Sequence, residues 1–466
     1  MQIRDRVIGL VLAVVALLLP LGVEAQTSSV NAYSPYSMYG PGELQTPGTV
    51  QTRSMGGVGI GMRALGQINM LNPASASIAP TKSFLFDVGF DATHFRNSQP
   101  KYDAAGAYSH KARTAYNTVN IHSLAMTFPI AKNLGAVFSI APYSSVGYNV
   151  KATDEQQNNW ADIGRVRYGH NGDGDISEVK LAVGWAPWQR FSIGIAVRYF
   201  WGNIERNYTA VVADVVTGSG TYSSTVGVDR YTVSNFKFQV GLQWDIIANN
   251  DRLMTLGATY DLGGKLNPEK LSYVYTDNAI NSITSFPVRD RVDRVELRLP
   301  HQVGVGLFYR DRSVAWGVDY VYANWGSSND SFDEGVASAG VVVDYADTHV
   351  VRAGFEITPR RNDVRNYLRR ISYRIGASYG NYYQTFASER INRLSITAGL
   401  GLPVKVWGAS SINIGFEYGR MSSPASVEIS AQRVGLVTQN YYKLSVGFSL
   451  FSADTSDYWF VRPKYD

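Results

Sequence analysis

Residues 394–402 read Leu-Ser-Ile-Thr-Ala-Gly-Leu-Gly-Leu, and residues 442–450 read Tyr-Lys-Leu-Ser-Val-Gly-Phe-Ser-Leu. Between them, Ile412, Ile414, Phe416 and Tyr418 alternate with Asn413, Gly415, Glu417 and Gly419. Every second side chain is apolar, and each one between is small or polar. Successive side chains of a strand point to opposite faces, whereas a helix would scatter this pattern around its axis. Segments of about ten residues with one oily and one polar face suit strands between lipid and an enclosed polar lumen.

Similar segments begin near Ser83, Asn120, Leu134, Glu178, Phe191, Asn235, Leu253, Pro300, Val314, Val350 and Ser372. The total is about fourteen, an even number as bacterial barrels require. The segments near Asn120 and Leu134 are the least regular, which leaves twelve or sixteen open. The predicted fold class is all-β, a transmembrane antiparallel β-barrel spanning residues 83–451. Connections alternate in length: long ones are expected near 96–118, 148–176, 204–232, 264–298, 326–348 and 422–438, and short ones near Lys132, Trp188, Asn249, Arg310, Asn362 and Pro403. Such a rhythm suits short periplasmic turns and long outer loops. Trp185, Trp244, Tyr260, Tyr373 and Tyr379 fall on the outward register near segment ends, where aromatic rings favour the headgroup level.

The ends add export. Arg4 and Arg6 precede an apolar run from Val7 to Val23 and a small-residue site at Ala25, predicting a cleaved signal peptide over 1–25 and an outer-membrane location in a Gram-negative bacterium. With no cysteine, the chain has neither disulfides nor a thiol for lipid attachment. Its 44 glycines, 30 tyrosines and 17% charged residues suit a barrel wall. The net charge of +5 is scattered through turns, which argues against nucleic acid. Residues 452–466 form a tail with Tyr458, Trp459 and Phe460, a candidate docking piece.

Residues 26–82 are glycine-rich and unpatterned, with Gly56, Gly57, Gly59 and Gly61 followed by Asn72, Pro73 and Ala74. At these residues the chain resembles the FadL-like family, the outer-membrane transporters of long-chain fatty acids and aromatic hydrocarbons. Ala141-Pro142-Tyr143 and Leu299-Pro300-His301 are also similar. The resemblance implies a fourteen-stranded barrel, an N-terminal hatch over 26–82 carrying the Asn-Pro-Ala motif, and passive uptake of a hydrophobic small molecule. FadL-like barrels are also known as non-transporting subunits of protein-assembly or secretion complexes. The aromatic tail and long outer loops offer surfaces for outer-membrane or periplasmic protein partners, beside the membrane lipid itself.

Among single residues, Pro142 inside the third strand cannot donate to the ladder, so it either kinks and opens the wall or is a rim proline. Inward positions carry Asp87, Asp91, Lys180, Arg198, Lys237, Asp319, Arg352, Glu356, Arg374, Glu417 and Lys443. Both signs on neighbouring strands suggest a pairing network that holds the plug, or a clamp for a ligand carboxylate. Gly59 to Ala64 mimics a dinucleotide fingerprint, but no buried parallel strand precedes it. Asn171-Gly172-Asp173-Gly174-Asp175 lacks a bidentate Glu at calcium-loop spacing and reads as a turn in an outer loop. The six histidines lack metal-ligand spacing, and no nucleophile constellation appears. No cofactor, metal or enzymatic activity is expected.

Overall fold

The computed structural model describes residues 32–79 except 65, and residues 84–451 except 104–105, 154–164, 214–223, 250, 278–288, 329–342, 362, 364, 387, 405–409, 424–425 and 430–431. The expected signal peptide and the tail 452–466 lie outside the described residues.

Fourteen antiparallel strands close into a barrel. They are β1 (Leu85–Tyr102), β2 (Tyr108–Ala131), β3 (Leu134–Thr153), β4 (Arg165–Trp188), β5 (Phe191–Ala213) and β6 (Ser224–Ala248). Next come β7 (Leu253–Asp261 and Glu269–Asp277), β8 (Arg289–Arg294 and Gln302–Arg310), β9 (Val314–Ala323) and β10 (Val343–Tyr345 and Thr348–Ile357). β11 (Ser372–Phe386), β12 (Glu389–Val404), β13 (Ser410–Ser422) and β14 (Thr438–Phe451) complete the wall. Closure is made by β14 on β1, where Leu85 pairs with Phe451 and Ser98 with Thr438.

The alternation becomes two solvents. Ile195 and Ile375 are 65% and 57% exposed on the outside, whereas Asp319, Asn413 and Thr397 are buried within. An apolar exterior around a polar interior is stable only when hydrocarbon surrounds it and every backbone group finds a partner in a closed ladder. The protein is therefore an outer-membrane barrel. No helix among the described residues is long and apolar enough to cross a membrane.

Several expected loops are corrected. β1 runs to Tyr102, β2 starts at Tyr108, and β4 has 24 residues, where a membrane crossing takes about 9–11. Outside the bilayer both faces are wet, so alternation lapses although backbone pairing continues. The stretch from Asn171 to Asp175, expected as a loop turn, lies within β4, paired with Asn149 to Ser145 of β3. The connection 358–371 is also longer than a tight turn and includes a 3-10 helix at Tyr367–Arg370.

The ladder parts in two places. β2 and β3 pair only from Leu124–Ile140 to Ala131–Leu134. Pro142 stands just beyond this limit, and the β3–β4 register shifts between Pro142 and Ser144. The second parting lies between β6 and β7. β6 pairs with Glu269 at Thr232 and with Asp261 at Gln239, leaving the residues between without a ladder partner on that side. The β7 segment 262–268 and the β8 segment 295–301 instead pair with each other through Gly264–Lys265 and Arg298–Leu299, burying Leu266 and Leu297.

Candidate functional site: a lumen filled by the N-terminal segment

The described part of the N-terminal segment packs inside the barrel, and its sequence explains how. Asn72 caps the short 3-10 turn Pro73–Ile78: its Oδ1 accepts from the Ala74 N–H at 3.0 Å, and proline, lacking an N–H, opens the turn at no cost. Its Nδ2 donates to Ile60 O at 2.8 Å and to the wall at Leu242 O at 3.1 Å. The turn presses on the wall where β5 has Gly194, at which any Cβ would collide with the Ala74 nitrogen. Gly56, with φ +72°, meets the wall so closely that a Cβ would fall 2.6 Å from Ala353 O and 2.7 Å from Ala377 O. The neighbouring glycines follow: Gly57 offers its carbonyl to Arg352 at 3.4 Å, Gly59 donates its N–H to Asp319, and Gly61 packs against β8.

Buried charges tie this segment to strands around the barrel. Arg53 donates to Asp91 of β1 at 2.7 Å and lies 3.6 Å from Glu417 of β13, and Lys443 of β14 stands 3.8 Å from the same Asp91. His122 of β2 donates through Nε2 to Gly48 O at 2.8 Å. Asp319 of β9 accepts from the Gly59 and Ile60 N–H groups at 2.7 and 2.9 Å, and Lys180 of β4 donates to Met70 O at 2.7 Å. Arg63 pairs with Asp245 of β6 at 2.5 Å. Removing one member of such a buried pair typically costs about 3–5 kcal/mol, because the other charge is stranded.

Other expected lumen charges bind each other. Glu356 accepts from Arg374 at 2.7 Å, Arg374 donates to Asn413 at 2.9 Å, Asn413 donates to Ser449 at 3.0 Å, and Ser449 donates to Asp87. This belt crosses from β10 to β1 and meets the N-terminal segment through Gln51, which donates to Ser449 at 3.2 Å. Arg198 grips Glu178 through two 2.7 Å bonds and Asp261 at 2.6 Å. With each of its carboxylate partners already on the wall, Arg198 is neutralised without a ligand.

The first parting of the wall is covered by the same segment. Glu43 and Leu44 form a short strand on the free edge of β3, opposite Ser145 and Ser144. Gln45 N–H donates to Tyr143 O at 2.9 Å, and Ser34 N–H to Gly147 O at 2.8 Å. Burial pushes the Glu43 carboxyl above its ordinary range, opposed by Arg393 and Lys443. Above lies an aromatic layer: Trp325 stacks on Tyr383 at 4.4 Å between centroids, and the Tyr383 hydroxyl donates to Gly42 O at 2.6 Å. Between this layer and the segment remains a cavity of about 240 Å³, touched by Leu44, Leu71, Tyr143, Arg198, Trp325 and Tyr382.

Sequence reasoning named Asn72, the glycines and the inward wall charges, but missed Arg53, Arg63 and Glu43 within the unpatterned segment, and Asp245 near the end of β6. A lone arginine in a glycine-rich stretch was the available signal, since an isolated cation there needs a carboxylate from elsewhere.

A family model described as BamG matches residues 7–466, almost the whole chain. The chain belongs to the BamG family. Among solved structures this BamG-family barrel is similar to a Pseudomonas aeruginosa FadL homologue, with 11% identity and a TM-score of 0.60 over 88% of this chain and 100% of that one. It is similar to the Pseudomonas putida toluene transporter TodX, with 14% identity and a TM-score of 0.54 over 88% and 99%. The Ralstonia pickettii toluene transporter TbuX follows, with 13% identity and a TM-score of 0.52 over 89% and 99%. No curated protein matches the sequence. The expected FadL-like architecture is therefore present at the level of fold.

Proposed function

We propose that this BamG-family barrel acts as a closed subunit of an outer-membrane protein-assembly or secretion complex. The observation that carries the reading is the anchoring of the N-terminal segment: buried ion pairs reach β1, β6 and β13, and its own backbone covers the parting beside β3. A gate that must shift at every passage would have to separate several such pairs together, each time leaving buried charges uncompensated. Membership of the BamG family, within a fold shared with channels, also favours a role among other outer-membrane proteins.

A second reading, uptake of a hydrophobic small molecule, draws on the cavity of about 240 Å³ and on the likeness to toluene transporters. In that reading the N-terminal segment is a hatch, Asn72-Pro73-Ala74 its anchor and Pro142 the start of a side opening. Purification from native membranes in mild detergent separates the two. Stoichiometric co-purifying membrane proteins are expected; a solitary barrel holding a lipid-like molecule overturns the subunit reading and favours uptake.

A further inference from the structure

The barrel end that carries the short turns, the periplasmic end in barrels of this kind, opens into a concave mouth of about 1560 Å³ lined by eight arginines and four aspartates. Three of the aspartates are already paired: Asp245 with Arg63 at 2.5 Å, Asp251 with Arg312 at 2.6 Å and Asp363 with Arg369 at 3.5 Å. The fourth, Asp311, is taken up by the N–H groups of Ser313 and Val314. Deeper in, Glu356 is shared by Arg374, Arg310 and Arg361 at 2.7, 3.4 and 3.5 Å, three cations on one carboxylate. Arg252, Arg360 and Arg365 line the mouth exposed, and among the described residues none of them makes an ion pair. The connection that supplies four of the eight arginines, 358–371, is the long one among turns that are otherwise short.

We infer that this mouth is a docking site for an acidic polypeptide segment of a periplasmic partner. An excess of cations in a concavity with low-dielectric walls focuses its field on an incoming anion, and arginine forks match carboxylates in pairs. The mouth is concave and faces the barrel axis, where a bilayer cannot reach, so a flexible acidic chain fits it better than a lipid surface. The tail 452–466 is a weak competitor, because its three aspartates are offset by Arg462 and Lys464. The inference deepens the subunit reading by naming the chemistry of one contact.

The test uses the purified full-length barrel in detergent and a fluorescent ten-residue glutamate peptide, read by anisotropy. Saturable binding that weakens with salt is expected, with a loss of about tenfold or more in the R360E/R361E/R365E variant and none in K151E/R167E, which reverses charge near the opposite end. The absence of saturable binding, or equal loss in both variants, overturns the inference. Displacement of the peptide by inorganic phosphate at matched charge would make the mouth a simple anion sink and also overturns it. A large gain of affinity on deleting 452–466 would give the site to the chain's own tail, and the inference would fall in that case too. Because no partner is present, these results are independent of the co-purification that tests the subunit reading.

Discussion

The two partings of the wall are closed by different means. Beside β3 the cover is a foreign backbone: Glu43 and Leu44 pair with Ser145 and Ser144, and Gln45 adds a third bond to Tyr143 O. Beside β6 the cover is made by side chains of the wall. Asn235 Nδ2 donates to Lys265 O at 3.2 Å and Leu266 O at 3.0 Å, and Lys237 Nζ donates to Lys265 O at 2.8 Å. The first cover therefore depends on whatever holds the N-terminal segment, while the second depends on the adjoining segments of β7 and β8. An exposed hydrogen bond between side chain and backbone is worth about 1 kcal/mol, but the first cover inherits the strength of buried ion pairs.

This contrast can be broken most forcefully at Arg53. Arg53→Ala takes from Asp91 and Glu417 the cation they share, leaving Lys443 3.8 Å from Asp91, and should cost up to about 3–5 kcal/mol in urea unfolding, with faster amide exchange at Gln45 and Ser34 and none at 262–268. Adding Asp91→Asn should recover part of the loss; full additivity in the double variant would show that the pair is not coupled. Asn72→Ala comes next, at about 1–3 kcal/mol, since it removes the cap of Pro73–Ile78 and leaves Ile60 O without this donor. Its exchange signature should also appear at 43–45. At the second parting, Asn235→Ala should cost about 1 kcal/mol and speed exchange across 262–268, leaving 43–45 unchanged; a change at both sites would mean that the two covers are coupled.

The smallest effect is a pH dependence at Glu43. Its folded-state pKa is raised, with burial the leading cause, so the folded barrel holds this proton more tightly than the unfolded chain does. Stability at this site should therefore rise as pH falls through the raised value and level off below the ordinary carboxylate range. Glu43→Gln should remove that slope and modestly slow exchange at 43–45 at neutral pH. A variant whose exchange keeps the wild-type pH profile would assign the slope to another group.

The strand pattern was legible where membrane imposed it. From Leu394 to Leu402, hydrocarbon on one side and polar packing on the other forced alternation, and the register followed. In β4 from Arg165 to Asp175, with water on both faces, alternation gave no signal and strand was read as loop. At the site, Asn72 was legible only through the Asn-Pro-Ala motif of the resemblance, although the cap it makes acts on its own chain two residues away. Arg53 with Asp91, and Arg63 with Asp245, were not, since nothing local marks which of many inward carboxylates an arginine will meet.

Sequence alone determined the closed barrel and the faces of its membrane-level strands, because both rest on periodicity along the chain. Tertiary structure decided which charges pair, where the ladder parts and what covers each parting. Those choices depend on strands that meet only after the sheet has closed, between residues as far apart in sequence as Gln51 and Ser449.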